Sequence, residues 1–551
     1  MSGGLDRRDF VKLGGLGAAA AATGGLTGCA SEAAQTSGSS EEAWWTTESF
    51  ELEEATFASL LEDMESGRRT SVEITSLYLD RIAALDRQGP SLRSIIETNP
   101  DALEIAAQLD EERAAGTVRG PLHGLPIAVK DNIDTADGMT TTAGSYALEG
   151  HVPSRDSHVA DRLRAAGAII LAKANLSEWA NFRSTRSSSG WSGRGGQCGN
   201  AYAIDRNPCG SSAGSGAATS ANFCAGSIGT ETNGSIVCPS SLNGIVGLKP
   251  TVGLVSRAGI IPIAHTQDTA GPMTRSVADA AAMLTALAGP DPRDPMSAPS
   301  APWADTDYTS FLDAGGLQGA RIGIERSYFG ADPHRDALME QAITDMAAAG
   351  AVIVDNAVLV NRQRIGGPSY QVLLYEFKAD LELYFQSVAP ELGMRTLDDL
   401  IAFNEANADR EMPWFGQEIV IEANGKGPLT SREYLEAKET ARRFSQDEGI
   451  DALMEQHQLD AIVAPTTRAA WKTDLINGGL SSLGASSPAA VAGYPSITVP
   501  MGFAHGLPIG MLFYGRAWSE GTLLRLAYSY EQATRHRTAA RMLPTLDLRN
   551  T

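Results

Sequence analysis

Gly210-Ser211-Ser212-Ala213-Gly214-Ser215-Gly216, followed by Gly229-Thr230-Glu231-Thr232-Asn233-Gly234-Ser235, is the part of the chain on which the rest depends. Each stretch sets a serine in a backbone-rich turn, Ser211 in the first and Ser235 in the second. Glycine has no Cβ, so such turns let backbone N–H groups crowd around a single reacting oxygen. A serine hydroxyl attacks only when a base takes its proton. A lysine, Lys130, stands upstream in Gly124-Leu125-Pro126-Ile127-Ala128-Val129-Lys130-Asp131. Three segments therefore offer a nucleophile, a base and an oxyanion site, the parts of a hydrolase. Taken singly, the lysine reads as a surface charge and each serine as a helix cap.

Outward from these turns the pattern is helix, glycine, strand. Residues 156–166 show helical spacing with Val159, Leu163 and Ala166 on one face, Gly167 ends the helix, and residues 168–172 read as a buried strand. The phrase returns at 342–350 followed by 351–354. Further strands are predicted at 127–129, 223–228, 321–324, 461–464, 496–499 and 508–514. Strands alternating with helices predict an α/β fold, with a largely parallel sheet covered on both faces. Residues 370–456 are mainly helical in pattern.

The serine and lysine segments resemble the amidase signature family, whose core reads roughly G-G-S-S-G-G-S, then G-T-D-x-G-G-S-I-R, then G-L-K-P-T. The last element is Gly247-Leu248-Lys249-Pro250-Thr251 here. Within the family the chain is most similar to bacterial peptide amidases. That likeness rests on Asn175-Leu176-Ser177-Glu178-Trp179-Ala180-Asn181-Phe182-Arg183, Pro208-Cys209-Gly210-Ser211-Ser212 and Gln267-Asp268-Thr269-Ala270-Gly271-Pro272-Met273. It covers the chain from about residue 50 to about residue 541 and is weakest between about 290 and 460.

The resemblance implies one catalytic domain with a large mixed, mostly parallel sheet sandwiched between helices. It implies that Ser235 forms an acyl-enzyme, and that Ser211, on a cis peptide bond, relays the proton to Lys130. Lys130 must then be neutral, desolvated and below its ordinary pKa of about 10.4. Backbone N–H groups of Thr232, Asn233, Gly234 and Ser235 would hold the oxyanion, and Ser212 would support the lysine. No cofactor is implied. The expected reaction is hydrolysis of carboxylic amides, the C-terminal amide of peptides first, with aryl or aliphatic amides as the alternative. The variable 370–456 region would shape the substrate site. Tyr375-Glu376-Phe377-Lys378 and Met412-Pro413-Trp414-Phe415 either line that pocket or are ordinary helix-packing aromatics.

Three departures stand out: Glu231 replaces the family Asp, Asn233 a Gly, and Val237 the Arg after Ser-Ile. Asn233 either contacts substrate or caps the turn; asparagine tolerates positive φ better than most residues. A rival enzyme class also fits one motif. Gly210-Ser211-Ser212-Ala213-Gly214 satisfies Gly-x-Ser-x-Gly, with Ser212 as nucleophile. A strong strand should precede that turn, yet 203–208 is polar, and His457, His505 and His536 lack a triad-like context. Lys249 is a rival lysine whose place in Gly-Leu-Lys-Pro suggests structure. A binding-only scaffold or a tRNA-directed amidotransferase subunit is disfavoured by the intact Lys130, Ser211 and Ser235 and by the export signal.

That signal is Arg7-Arg8-Asp9-Phe10-Val11-Lys12, an Ala/Gly-rich stretch, and Leu26-Thr27-Gly28-Cys29. The stretch is too short and glycine-rich to span a bilayer, which takes about 20 apolar residues. Residues 1–28 are expected to be a twin-arginine-type lipoprotein signal peptide, with Cys29 lipidated. A flexible tether at 29–46 and a catalytic domain at 47–545 follow. The expected location is periplasmic or extracytoplasmic, with membrane contact only through the anchor; a soluble exported protein is the plainer alternative.

A net charge of −22 with no basic run argues against nucleic acid and leaves a small-molecule or short peptide amide as partner. Cys198, Cys209, Cys224 and Cys238 show no Cys-x-x-Cys spacing and no nearby histidine pair, so no metal site is expected. They are expected as buried free thiols, with Cys198–Cys209 the pair that oxidation after export would make.

Overall fold

In the computed structural model, residues 50–546 are described. The expected signal peptide, Cys29 and the tether lie outside the described residues.

Local rules set the repeating unit. Ser157 caps the helix His158–Ala165, its Oγ accepting the Ala160 N–H at 3.1 Å. Val159 and Leu163 bury one face of that helix. Gly167, at φ +83°, then turns the chain into a strand at Ile169–Ala174 that is buried along its whole length. The phrase recurs as the helix Pro333–Ala348, Gly350 at φ +94° and a strand at Val352–Val354.

The strands in chain order are β1 (Ile95–Thr98), β2 (Pro126–Lys130), β3 (Ile169–Ala174), β4 (Trp191–Ser192), β5 (Gly196–Gln197), β6 (Gly226–Glu231) and β7 (Val246–Lys249). They continue as β8 (Thr269–Thr274), β9 (Arg321–Ile324), β10 (Val352–Val354), β11 (Ala461–Pro465), β12 (Ser496–Ala504) and β13 (Leu507–Tyr514). Among the described residues, β4 and β5 pair alone, and the other eleven form one sheet ordered β1-β3-β2-β6-β8-β7-β12-β13-β11-β9-β10. β2, β3, β6, β7, β8, β11 and β13 are buried at every position, which requires cover on both faces. The helices Ala213–Ser220, Val237–Leu242, Val277–Leu287, Pro333–Ala348 and Glu520–Thr534 pack on it.

The α/β class and the large mixed sheet between helices are as expected; the strand directions need correcting. Only four of the ten pairings are parallel: β2–β3, β2–β6, β9–β11 and β9–β10. The remaining six are antiparallel. Helix–strand phrases supply the parallel pairs on the two flanks. The middle is built from β8, β7 and the β12–β13 hairpin, whose two-residue turn His505-Gly506 lies at positive φ (51° and 80°).

The 370–456 region is helical as expected, with helices Gly366–Tyr384, Leu397–Ala406, Glu418–Asn424, Arg432–Ser445 and Asp451–His457. Of its named aromatics, Tyr375, Phe377 and Phe415 pack between elements, while Trp414 is exposed. Phe377 meets Phe182 at 5.1 Å, Tyr375 meets Tyr434 at 5.6 Å, and Phe415 meets Trp191 at 5.1 Å.

The cysteine expectation is also corrected. Cys209 and Cys238 form a disulfide, Cα atoms 5.9 Å apart, while Cys198 and Cys224 are free and buried. Cys198 instead points its thiol at the Gly199 carbonyl, 3.4 Å away.

Candidate active site

β2 and β6 run parallel and adjacent, with Val129 opposite Ile228, so Lys130 and Thr230 emerge side by side at their carboxyl ends. Open α/β sheets bind ligands at that edge. Lys130 Nζ lies 2.7 Å from Ser211 Oγ, 2.8 Å from Thr230 Oγ1 and 3.3 Å from the Thr230 carbonyl. As an ammonium it donates to all three. As a neutral amine it gives its two N–H bonds to Thr230 and turns its lone pair to the Ser211 hydroxyl. Lys130 is fully buried, and this desolvation lowers its pKa to about 7 against the raising influence of the Asp268 and Glu231 carboxylates.

Ser211 follows a cis Gly210–Ser211 peptide bond, as the resemblance implies. Its carbonyl accepts the Ser177 N–H at 2.9 Å, and the next residue's N–H donates to the Ser235 carbonyl at 3.2 Å. The two serine turns are thus in direct contact. Ser235 is 8 % exposed, against 1 % for Ser211 and 0 % for Lys130, so the residue expected to attack is the most accessible of the three.

The Ser235 turn is shaped by Glu231. Its Oε1 accepts the Gly234 N–H at 2.7 Å, and its Oε2 accepts those of Ile236 at 2.8 Å and Val237 at 3.1 Å. Gly234 sits at φ +87°, a conformation that glycine adopts freely. Of the four expected oxyanion donors, the Gly234 N–H is therefore occupied, which corrects its assignment. Among the described residues the N–H groups of Thr232, Asn233 and Ser235 donate to no protein acceptor. Asn233 settles as a turn tie: its Oδ1 accepts from Ser486 Oγ at 2.8 Å and its Nδ2 donates to Ser487 Oγ at 3.2 Å.

Ser212 does not touch Lys130. Its Oγ donates to the Thr230 carbonyl at 3.0 Å and accepts the Thr230 N–H at 3.2 Å, so it steadies the lysine through Thr230. With that hydroxyl spent on backbone and loop rather than strand before it, the nucleophile-elbow arrangement fails. His505 occupies the β12–β13 turn, and Lys249 Nζ donates to the Pro250 carbonyl at 3.0 Å, consistent with a structural lysine.

Sequence reasoning missed Thr230, Asn132 and Asp268 as site residues. Asn132 Nδ2 donates to Thr230 Oγ1 at 3.0 Å. Asp268 accepts from Thr232 Oγ1 at 2.5 Å and from the N–H groups of Ile263 and Ala264 at 2.7 and 2.9 Å. Burial pushes its carboxyl up to about 6, opposed by the Thr232 hydroxyl and those N–H groups. The only signal for Thr230 and Asp268 was their place inside quoted family motifs.

Two cavities flank the serine turns. One of about 280 Å³ is lined by Asn132, Thr230, Thr232, Ile260, Ile261, Ile263 and Asp268, with Asp380, Leu383 and Tyr384 from the helical region. The other, about 220 Å³, is lined by Cys209, Gly210, Asn233, Gly234, Cys238 and Trp471 among others. Trp179, Ala180 and Asn181 all hold left-handed φ (49°, 52° and 70°), with Ala180 lining the first cavity and Asn181 the second. Such strain persists where surrounding structure enforces it, commonly at functional sites.

On the wall of the larger cavity His265 lies between Asp380 (Nδ1 to Oδ2, 2.8 Å) and Glu376 (Nε2 to Oε1, 3.3 Å). Burial lowers the imidazole pKa, but the Asp380 hydrogen bond and the Glu376 charge outweigh it and raise it. Glu376 is further held by Thr266 Oγ1 at 2.9 Å and Tyr434 OH at 2.7 Å. This histidine–carboxylate group is arranged as an ion pair.

A family model described as Amidase matches residues 73–524, and the chain belongs to the amidase signature family. It is 40 % identical over 494 residues to a probable amidase of Arabidopsis thaliana, covering 88 % of this chain and 91 % of that protein. Among solved structures it resembles native peptide amidase from Stenotrophomonas maltophilia, with 53 % identity and TM-score 0.84 over 89 % of this chain and 99 % of that one. It is similarly close to peptide amidase PAM in complex with the competitive inhibitor chymostatin, at 52 % identity and TM-score 0.85, covering 89 % and 99 % of the two chains. The protein is an amidase.

Proposed function

We propose that this amidase hydrolyses the C-terminal amide of peptides through Lys130, Ser211 and Ser235. Neutral Lys130 takes the Ser211 proton as Ser211 takes that of Ser235, and Ser235 Oγ attacks the amide carbonyl. The N–H groups of Thr232, Asn233 and Ser235 receive the developing oxyanion. The proton returns through Ser211 to the departing ammonia, and water then cleaves the acyl-enzyme by the same relay. The observation that carries this is the 2.7 Å contact between Ser211 Oγ and a fully buried lysine whose pKa lies at about 7. The peptide part rests on 52 % identity to a peptide amidase bound by chymostatin and on a cavity walled by Ile260, Ile261 and Ile263 beside the catalytic turn. Export as a lipoprotein anchored at Cys29 is part of the same proposal and rests on the Arg7-Arg8 and Leu26–Cys29 motifs.

The test is a panel run on purified protein: an N-acylated dipeptide amide, its free-acid counterpart, an anilide and an aliphatic amide. Ammonia release from the dipeptide amide, with internal peptide bonds intact, is the expected result. Turnover confined to the anilide or the aliphatic amide would contradict the peptide assignment while leaving the amidase chemistry in place.

A further inference from the structure

The Cys209–Cys238 disulfide joins the two turns that carry the serines. Cys209 immediately precedes the cis Gly210–Ser211 bond, and Cys238 lies in the first turn of the helix Val237–Leu242, directly after Ser235 and Ile236. Each cysteine is itself fixed. The Cys209 N–H donates to Asn207 Oδ1 at 2.8 Å, with the residue at φ +60°, and the Cys238 N–H donates to the Gly234 carbonyl at 2.8 Å. The Ser235 turn is thereby clamped twice, by the Glu231 carboxylate on its N–H groups and by a covalent bond to the Ser211 turn. Beside that bond the serine turns are tied by hydrogen bonds, from the Ser212 N–H to the Ser235 carbonyl at 3.2 Å and between Ser212 Oγ and the Thr230 carbonyl and N–H at 3.0 and 3.2 Å.

A proton relay needs heavy atoms within about 2.6–3.2 Å, and a displacement of about 1 Å can cost about 100-fold in rate. A few hydrogen bonds restrain two loops less tightly than a covalent link, and only one of these three reaches Ser235 itself. Resting on the Ser235–Ser211–Lys130 proposal above, we propose that the Cys209–Cys238 disulfide is a positioning element of the proton relay, holding the Ser235 turn against the Ser211 turn. Both cysteines line the 220 Å³ cavity with Gly210, Asn233 and Gly234, the residues that adjoin the two serines in sequence, so the bond faces a cavity that a small thiol can enter. Lys130 meets Ser211 as well, but its backbone is fixed in β2 between β3 and β6 and its amine is also held by Thr230. Losing the bridge should therefore disturb the two serines more than the lysine.

The test compares wild type with the Cys209→Ser/Cys238→Ser double variant, well below the melting temperature of each. Non-reducing peptide mapping of wild type should find Cys209 linked to Cys238, with Cys198 and Cys224 as thiols. In the variant, kcat and the rate of labelling by a serine-directed phosphonate should fall at least about tenfold. KM should stay within about twofold, and the acid limb of the pH profile should not move. If the variant fails to fold, wild type is treated with dithiothreitol under native conditions, which closes to its cyclic disulfide as Cys209 and Cys238 become thiols. Loss of kcat, recovered on reoxidation, is expected there. A variant or reduced enzyme with a lower melting temperature but kcat within twofold of wild type would overturn the proposal and leave the bridge a fold stabiliser. Finding the two cysteines unpaired in wild type would overturn it as well. Failure of the underlying site is distinguishable, because the wild type itself would then take no label at Ser235.

Discussion

Lowering the pH should switch hydrolysis off by about tenfold per unit below pH 7, because only the neutral form of Lys130 can take a proton from Ser211. With its pKa lowered to about 7 by burial, about nine-tenths of Lys130 is neutral at pH 8 and about 1 % at pH 5. An ordinary lysine is under about 1 % neutral at pH 8, and its rate would still be climbing at pH 10. The kcat/KM profile should therefore bend near pH 7 and stay level into the alkaline range. The same burial has a thermodynamic signature independent of catalysis. Between about pH 7 and pH 10.5 the unfolded chain holds a proton on Lys130 that the folded chain lacks, so stability rises with pH across that window. The rise is about 1.4 kcal/mol per pH unit from this group, and below pH 7 the penalty is fully present. Denaturant melts of wild type and Lys130→Met at successive pH values isolate the effect, since the variant cannot titrate there. The stability gap should shift toward wild type from pH 7 upward. Lys130→Ala should fold and lose about 100-fold to 10,000-fold in turnover. A flat gap, an acid limb more than two units from pH 7, or a folded Lys130→Ala enzyme at near-normal rate would each refute the assigned base.

Glu231→Ala leaves the Gly234, Ile236 and Val237 N–H groups without their carboxylate, and should cost at least about 3 kcal/mol in denaturant melts along with most activity. Chelators should leave turnover unchanged in a continuous ammonia assay; loss on chelation that zinc restores would defeat the serine mechanism. Cys29→Ala should release or strand the protein in membrane fractionation, and wild type should carry a lipid mass at Cys29; identical fractionation with no lipid would remove the anchor.

Much of the site was legible because its chemistry is local. Ser211 and Ser235 lie in glycine turns, and Lys130 closes a short apolar run that becomes β2. The helix–glycine–strand phrase at His158–Ala174 was equally plain, since period 3.6 and a left-handed glycine are written within one segment. Strand direction was not, because a strand buried on both faces loses the alternation that would mark its pairing. β8 shows a second obstacle. Thr269-Ala270-Gly271-Pro272-Met273-Thr274 carries two strand breakers, yet it lies between β6 and β7 with Pro272 opposite Ile228. The disulfide was hidden for a related reason. Cys209 and Cys238 are 29 residues apart, and only the return of β6 beside the helix Ala213–Ser220 brings their Cα atoms to 5.9 Å. Thr230 had no signal of its own: a threonine at a strand end is ordinary until a buried lysine amine is found against it.

Peptide mapping of enzyme labelled with a serine-directed phosphonate tests the central claim most directly. The label should sit on Ser235, vanish in Ser235→Ala, form more slowly in Ser211→Ala where the relay is cut, and be least affected in Ser212→Ala. Label on Ser212, or undiminished labelling of Ser235→Ala, would contradict the assignment of Ser235 as the acyl acceptor.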